Sequence, residues 1–255
     1  MRTGLGQLTL AEWHARFSQQ AGWTAEVRRH LFEQADLKPG SRALEVGCGT
    51  GAVMHALENE FDYHLTGVDL DRPSLQFNHT QFPLSSLTQA DGHNLPFADG
   101  TFDAVYCHYL LLWVADPAKV LAEMRRVTRP GGVVIALAEP DYAGRVDFPP
   151  PLDELGWLQT KALTQQGADP EMGSKLKGLF QQVGFLNIYS DILDEQWDHN
   201  PQPMDALEWA VLRSDLDGLV TEKDLDQFAA LDRDARQYGE RVLFIPTFYA
   251  IGWVK

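Results

Sequence analysis

"LEVGCGTGAV", residues 44–53, runs a strongly apolar stretch into three glycines within five positions. The preceding "RALEV" reads as a short, nearly all-apolar strand of the kind buried in a parallel sheet, and a helix is expected from about residue 49 to 58. A strand that passes through glycines into a helix brings backbone N–H groups and a helix N-terminus to the carboxyl edge of the sheet. That edge is where α/β folds bind ligands, and glycine permits close approach because no Cβ intervenes.

The same alternation continues outward. "YHLTGVDL" is expected as a second strand. In "DRPSLQFNHTQF" Asp71 is placed to cap a helix and Pro73 sits in its first turn. "SSLTQADG" reads as a third strand, "TFDAVYC" as a fourth, and "DPAKVLAEMRRVT" as a helix opened by Asp116 and Pro117. "RPGGVVIALAE" gives a turn and a fifth strand. Strand and helix in regular alternation predict a doubly wound, mostly parallel sheet. Upstream, the apolar residues between Leu10 and Gln34 recur every three or four positions, which fits one or two amphipathic helices, with Gly22 a candidate divider.

Past Pro140 the rhythm changes. "PDYAGRVDFPPP" reads as a loop, residues 152–166 as a helix, and "DPEMGSKLKGLFQQVGF" as another helix ended by Gly184. "LNIYSDILDEQW" and "VLFIPTFYAIGWVK" have the β-branched and aromatic character of long strands, with a helical insertion over 203–238 between them. The expected architecture is a Rossmann-like, seven-stranded, mostly parallel α/β sheet under a helical cap. An N-terminal helical lid (1–38) precedes the main domain (39–255), which carries cap insertions near 141–168 and 201–240.

Composition bounds the partners. The 255 residues carry 44% apolar residues, and no run approaches the ~20 needed to span a membrane. The start lacks a basic-then-apolar signal pattern, so a cytoplasmic protein without membrane partners is expected. Cys48 and Cys107 are too few for a disulfide scaffold and lack zinc-ligand spacing with histidine, so no metal is expected. A net charge of −15 opposes a phosphate backbone, and nucleic acid is not an expected partner. The basic runs "VRRH" (27–30) and "MRRVTR" (124–129) read as exposed helix faces, or as halves of one basic patch.

Gly47, Gly49 and Ala52, followed by Asp69, formally satisfy a dinucleotide fingerprint, so a nicotinamide-dependent oxidoreductase is one alternative. Two details point elsewhere: Glu45 lies two residues before the first glycine, and the glycines form a tighter G-x-G-x-G with Gly51. Here the chain resembles the class I S-adenosylmethionine-dependent methyltransferases, whose first motif is an acid followed by G-x-G-x-G. "GVDL" (67–70), "ADGHNLPFADGTFDAVYC" (90–107) and "TRPGGVVIAL" (128–137) resemble that family's later motifs in the right order. "GADPEMGSKLKGLFQQVGF" and the terminal "FYAIGWVK" resemble its small-molecule members more loosely, the latter matching an antiparallel last strand.

The resemblance implies S-adenosylmethionine as cofactor, S-adenosylhomocysteine as product and a small-molecule methyl acceptor as partner. It also implies roles. Glu45 would hold the cofactor's ammonium, directly or through water, while the backbone around Gly47, Cys48 and Gly49 meets its methionine part. Asp69 would accept both ribose hydroxyls, and Leu70 would wall the adenine. Asp91 would take the adenine amino group, with the backbone of Gly92 and His93 near the ring. Cys107 or His108 would line the methyl-donor end.

A sulfonium methyl is already electrophilic, so alignment and exclusion of water are the main requirements. A general base is needed only for a protonated nucleophile. Candidates are His108, Tyr109 and Tyr142, with Glu139, Asp141 and His93 also near strand ends; each equally suits hydrogen-bonded packing. Trp13, Phe17, Gln20 and Trp23 are expected to form a substrate lid, joined by Phe148, Trp157, Trp197 and Trp209. The family's N/D-P-P-Y/F motif is absent, with "CHYLLLW" (107–113) in its place. "SDLDGLVTEKD" has a calcium-loop core, but Arg213 occupies the first ligand position. A cofactor-binding protein without turnover is a second alternative.

Overall fold

A computed structural model of the chain describes residues 8–83, 86–193 and 206–255. Its core strands are β1 (Arg42–Val46), β2 (His64–Asp69), β3 (Ser86–Gln89), β4 (Phe102–Cys107) and β5 (Thr128–Pro140). Two short outlying strands, β6 (Val146–Phe148) and β8 (Val242–Phe244), and two longer ones, β7 (Leu186–Ile192) and β9 (Thr247–Trp253), complete the set. Seven strands form one sheet in the order β3-β2-β1-β4-β5-β9-β7. The first five pair in parallel, and β9 runs antiparallel to both β5 and β7.

The expected seven-stranded, doubly wound α/β sheet is therefore present. Its order reverses at β1, where chain crossovers leave to opposite sides. Such a switch point opens a crevice at the carboxyl ends of the strands, and β1 ends there at the glycine loop.

Alternation along β4 shows how the two faces divide. Ala104 and Tyr106 pack with Leu31 and Phe32 of α2 (Ala25–Gln34) and with Val53, Met54 and Leu57 of α3 (Ala52–Glu60). Val105 and Cys107 pack with Val120, Leu121 and Met124 of α5 (Pro117–Val127) and with Leu176 and Phe180 of α7 (Met172–Val183). Each fully buried apolar side chain of this size contributes roughly 1.5–3 kcal/mol. Sheet and helices thus bury both faces, as a parallel sheet requires.

Local sequence sets the helix ends. Asp71 accepts the Ser74 N–H at the start of α4 (Arg72–Gln81), and Asp116 accepts the Lys119 N–H at the start of α5, each with proline in the first turn. Gly184 takes the left-handed conformation that closes α7.

The cap has a small core of its own. Leu152, Leu155 and Ala162 of α6 (Leu152–Gln165) pack with Leu212 of α8 (Ala206–Asp215) and with Leu225 and Phe228 of α9 (Glu222–Gln237).

Three local expectations need correction. The N-terminal helical region is two helices, but α1 (Leu10–Trp23) ends at Thr24 rather than at Gly22. The buried Thr24 hydroxyl turns back to donate to the Ala21 carbonyl. "PDYAGRVDFPPP" is not wholly loop, because β6 pairs with β8 in a separate two-stranded sheet. For the same reason residues 242–253 are not one strand: Pro246 has no N–H to donate and breaks the run between β8 and β9. No described helix is long and apolar enough to cross a membrane.

Candidate functional site

The loop after β1 is built on left-handed backbone: φ is +77° at Gly47, +47° at Gly49 and +86° at Gly51. At Gly47 the absence of a side chain is also steric, since a Cβ there would stand 2.7 Å from Leu110 Cδ1. The N–H groups of Gly47 and Cys48 both donate to the Val68 carbonyl, at 2.8 and 3.0 Å. Residues 47–49 therefore offer a ligand bare, close backbone and carbonyl oxygens rather than three idle donors. Gly49 donates to Asp69 Oδ2 at 2.7 Å, and Asp71 donates to Asp69 Oδ1 at 2.8 Å.

This loop opens on a cavity of about 960 Å³. That volume is at the upper end of what single drug-sized ligands use, so it accommodates a cofactor and a second molecule. Of the residues expected to bind cofactor, Glu45, Gly47, Cys48, Gly49, Asp69, Leu70, Asp91, Gly92 and His93 all line it. They come from the carboxyl ends of β1, β2 and β3 and the segments that follow. Cys107 does not line it; it is fully buried on the α5/α7 face of the sheet, among apolar side chains.

Electrostatics divide the acids. Burial pushes the Glu45 carboxyl up to about 8, against the Tyr106 hydroxyl that donates to it at 3.2 Å and the positive charge of Arg28. Burial also raises Asp69, partly offset by the N–H groups of Asp71 and Gly49. Asp91 is lowered by the backbone N–H and imidazole of His93. Because Asp116 donates its N–H to His93 Nε2, the ring proton lies on Nδ1, where it meets Asp91 Oδ1 at 2.7 Å.

Among the base candidates, His108, Tyr109 and Tyr142 line the cavity, whereas Glu139 and Asp141 do not. Glu139 is fully buried and accepts the N–H groups of Leu110, Leu111 and Leu112 at 3.0, 2.9 and 3.1 Å. Asp141 accepts from the Gly144 and Ser174 N–H groups and from the Ser174 hydroxyl, tying the end of β5 to the first turn of α7. Both acids serve the backbone. His108 lies 3.3 Å from Thr24 Oγ1, and burial together with the Arg28 charge drives its imidazole down to about 3. It is neutral, and a poor proton acceptor. Tyr109 holds a left-handed backbone, φ +51°, rare for an aromatic residue, with its N–H on the Ala138 carbonyl at 2.9 Å.

Of the expected lid, Trp13, Phe17 and Gln20 line the cavity and Trp23 does not. Trp23 is 50% exposed, with the Arg16 guanidinium 4.7 Å from its ring centre. Phe148 and Trp157 are likewise exposed and off the cavity wall, and Trp209 packs against the cap core. Trp197 lies outside the described residues. The wall is instead completed by residues the sequence did not single out, among them Arg16, Trp113, Gln159, Leu163, Val211 and Asp215. Of the basic runs, Arg29 and His30 are exposed, as a helix face would have them, whereas Arg28 is buried against Glu60; Arg126 pairs with Glu123 and Asp99, and Arg129 with Asp103.

Residues 44–136 match the family model described as "Methyltransferase domain". The demethylmenaquinone methyltransferase of Staphylococcus haemolyticus is 31% identical over 195 residues, covering 68% of this chain and 78% of that protein. Among solved structures, the YcgJ protein of Bacillus subtilis superposes with a TM-score of 0.59 at 17% identity, covering 91% of this chain and 98% of that one. A phosphoethanolamine N-methyltransferase of Haemonchus contortus, solved with S-adenosyl-L-methionine, gives 0.57 at 16% identity over 86% of this chain and 50% of its own. The glycine loop at the switch point, the acids after it and these likenesses agree: the chain belongs to the class I S-adenosylmethionine-dependent methyltransferases and moves the cofactor's methyl group to a small molecule.

Proposed function

We propose that one cavity holds both reactants, with the cofactor along the sheet edge and a small, largely apolar acceptor under the cap. The observation that carries this reading is the convergence on one cavity wall of Glu45, the glycine loop, Asp69 and Asp91. Their chemistry fits the cofactor. Glu45 is a buried carboxylate whose ionisation waits for a cation, and the ammonium supplies one. Asp69 is fixed beside the loop to receive ribose hydroxyls, and Asp91 takes the adenine amino group through the oxygen that His93 leaves open. Leu70, with the backbone of Gly92 and His93, flanks the ring.

When bound, S-adenosylmethionine supplies an electrophilic methyl. The chain's part is to align the acceptor and exclude water, and alignment alone is worth up to ~7–11 kcal/mol. In this reading residues 1–38 act as a lid through Trp13, Phe17 and Gln20 on α1. The insertions near 141–168 and 201–240 form the rest of the roof. Tyr109 and Tyr142 position the acceptor, and His108, held neutral, is a hydrogen-bonding wall rather than a base. The named relative acts on demethylmenaquinone; a planar, apolar acceptor suits the aromatic wall of this cavity. Two buried free thiols, Cys48 and Cys107, favour the reducing cytoplasm.

The test is thermal unfolding with S-adenosylmethionine, S-adenosylhomocysteine, NAD and NADP in turn. A ligand at ~100 times its dissociation constant stabilises the fold by about 2.7 kcal/mol. Stabilisation by the two adenosyl sulfur compounds alone is the expected result, and stabilisation by a nicotinamide cofactor contradicts the site assignment.

A further inference from the structure

Thr24 joins α1 to α2 and is completely buried. Its hydroxyl proton goes to the Ala21 carbonyl at 3.2 Å. The lone pairs of Oγ1 remain, and two nitrogens face them: Arg28 Nη1 at 3.4 Å and His108 Nε2 at 3.3 Å. Arg28 is itself buried and clamped, through Nη1 to the Ala21 carbonyl and through Nη2 to Glu60 Oε1, each at 2.7 Å. A guanidinium can only donate, so the arginine keeps the hydroxyl oxygen in the accepting role. The imidazole then donates to it from Nε2.

A neutral imidazole has one ring proton, so with that proton on Nε2 its Nδ1 is a bare lone pair. Burial and the Arg28 charge both oppose a second proton. No described residue bonds Nδ1, nor is it among the described side-chain atoms sealed off without a partner, and His108 lines the cavity. The free nitrogen therefore opens on the ligand space. The Tyr109 ring stands edge-on at 4.8 Å and 75°, which limits how the imidazole turns. His108 follows β4, the strand that pairs with β1, so this acceptor atom lies toward the glycine-loop end of the cavity.

We propose that His108 is a specificity-determining contact for the methyl acceptor: Thr24 and Arg28 fix its Nε2–H tautomer, and the bare Nδ1 receives a hydrogen bond from an uncharged hydroxyl or N–H on the acceptor. No proton is transferred in this contact; the imidazole binds and orients. Thr24 and Arg28 are off the cavity wall and act as positioning residues through His108. A group with lone pairs only, such as an ether, ketone or carboxylate, has nothing to donate to Nδ1 and is selected against. An ammonium can donate but brings its charge toward that of Arg28, which disfavours it beside an uncharged donor.

This inference rests on the cofactor assignment above, and the two fail separately. The full chain is first titrated with S-adenosylhomocysteine; absence of binding overturns the cofactor reading, whereas the tautomer is read on the free protein. Nitrogen NMR of histidine-labelled protein near neutral pH, with the His108 signals identified by their loss in His108→Phe, is expected to show a protonated Nε2 and a bare Nδ1. Thr24→Val keeps the shape, removes the hydroxyl and is expected to shift the proton toward Nδ1. The loaded protein is then titrated calorimetrically with two pairs of rings matched in shape, indole against benzofuran and 2-naphthol against 2-fluoronaphthalene, of which only the first in each pair can donate. The donors are expected to bind roughly tenfold more tightly than their partners. His108→Phe is expected to abolish the difference, and Thr24→Val, which serves if the His108 variant does not fold, to narrow it. A preference in one pair alone supports the proposal and names the donor. The proposal is overturned if wild-type His108 carries its proton on Nδ1, if neither pair shows a preference, if the preference survives in folded variants, or if none of the four rings binds the loaded protein.

Discussion

Asp69 and Gly49 are joined by a 2.7 Å hydrogen bond from the glycine's N–H to Oδ2, which makes the end of β2 a support for the loop after β1. The same carboxylate accepts the Asp71 N–H through its other oxygen. One acid therefore orders the two backbone segments between which the ribose is proposed to lie, and it does so with lone pairs to spare.

Asp69→Ala is accordingly expected to weaken S-adenosylhomocysteine binding by more than tenfold while lowering the stability of the free protein by only about 1–2 kcal/mol. Calorimetric titration and urea unfolding read the two effects separately. Unchanged affinity in a folded variant removes Asp69 from the ribose.

Glu45 makes a prediction about protons. In the free protein its carboxyl sits at about 8, above the ordinary 4.5, so the folded state binds the proton more tightly than the unfolded one. Stability from this group is full at low pH and declines as pH rises from about 4.5 to about 8. A bound ammonium reverses the preference and favours the ionised form. Binding of S-adenosylmethionine near pH 6.5 is therefore expected to release close to one proton, measured as the dependence of the calorimetric heat on buffer ionisation enthalpy. Glu45→Gln abolishes that release. Uptake of protons by the wild type contradicts the ammonium role.

Glu139 explains part of what the sequence left hidden. Standing after β5, it resembles any candidate base at a sheet edge, and only the fold reveals that residues 110–112 turn back onto it. The sheet itself was legible because Asp71, Asp116 and the glycines at 47, 49 and 51 act on their near neighbours, so short-range chemistry writes the element boundaries. Cys107 illustrates the opposite case. A parallel strand is apolar on both faces, so "FDAVYC" carries no mark of which side meets the cavity. The cap is harder still: Asp147 meets Arg241 across 94 positions of chain, and Gln159 meets Asp215 across 56. Nor does a tryptophan's size reveal that Trp23 stands half exposed and off the cavity wall, beside the Arg16 guanidinium.

Removing Glu139 tests its assignment as a backbone anchor. Glu139→Ala strands three N–H groups, those of Leu111 and Leu112 buried and that of Leu110 half-buried, and is expected to destabilise the fold by about 3 kcal/mol or more. Glu139→Gln costs less, since its amide oxygen still accepts from Leu110 and Leu111 while its NH₂ faces the Leu112 donor. Burial raises the wild-type carboxyl to about 7 from 4.5, so wild-type stability falls as pH rises across that window. The deficit of the glutamine variant consequently shrinks between about pH 4.5 and 7. Urea unfolding at several pH values checks both statements, and an alanine variant within 1 kcal/mol of wild type contradicts the anchoring role.

A pair of glycines separates backbone strain from steric exclusion. Gly47 and Gly167 both have positive φ, +77° and +96°, but a Cβ on Gly47 would meet Leu110 Cδ1 at 2.7 Å while one on Gly167 would meet nothing within 4 Å. Each alanine substitution bears the left-handed penalty of roughly 1–2 kcal/mol. Gly47→Ala must in addition push Leu110 away, and Leu110 is held from behind by the Glu139 carboxylate through its N–H. Its unfolding free energy is therefore expected to fall by at least about 1 kcal/mol more than that of Gly167→Ala. Its affinity for S-adenosylhomocysteine is expected to drop at least tenfold, with that of Gly167→Ala unchanged. Equal stability losses would mean that Leu110 yields easily. Equal affinities would mean that the cofactor does not need the bare backbone at residue 47, and the close approach that the glycine loop was read to provide would have to be sought at Gly49 instead.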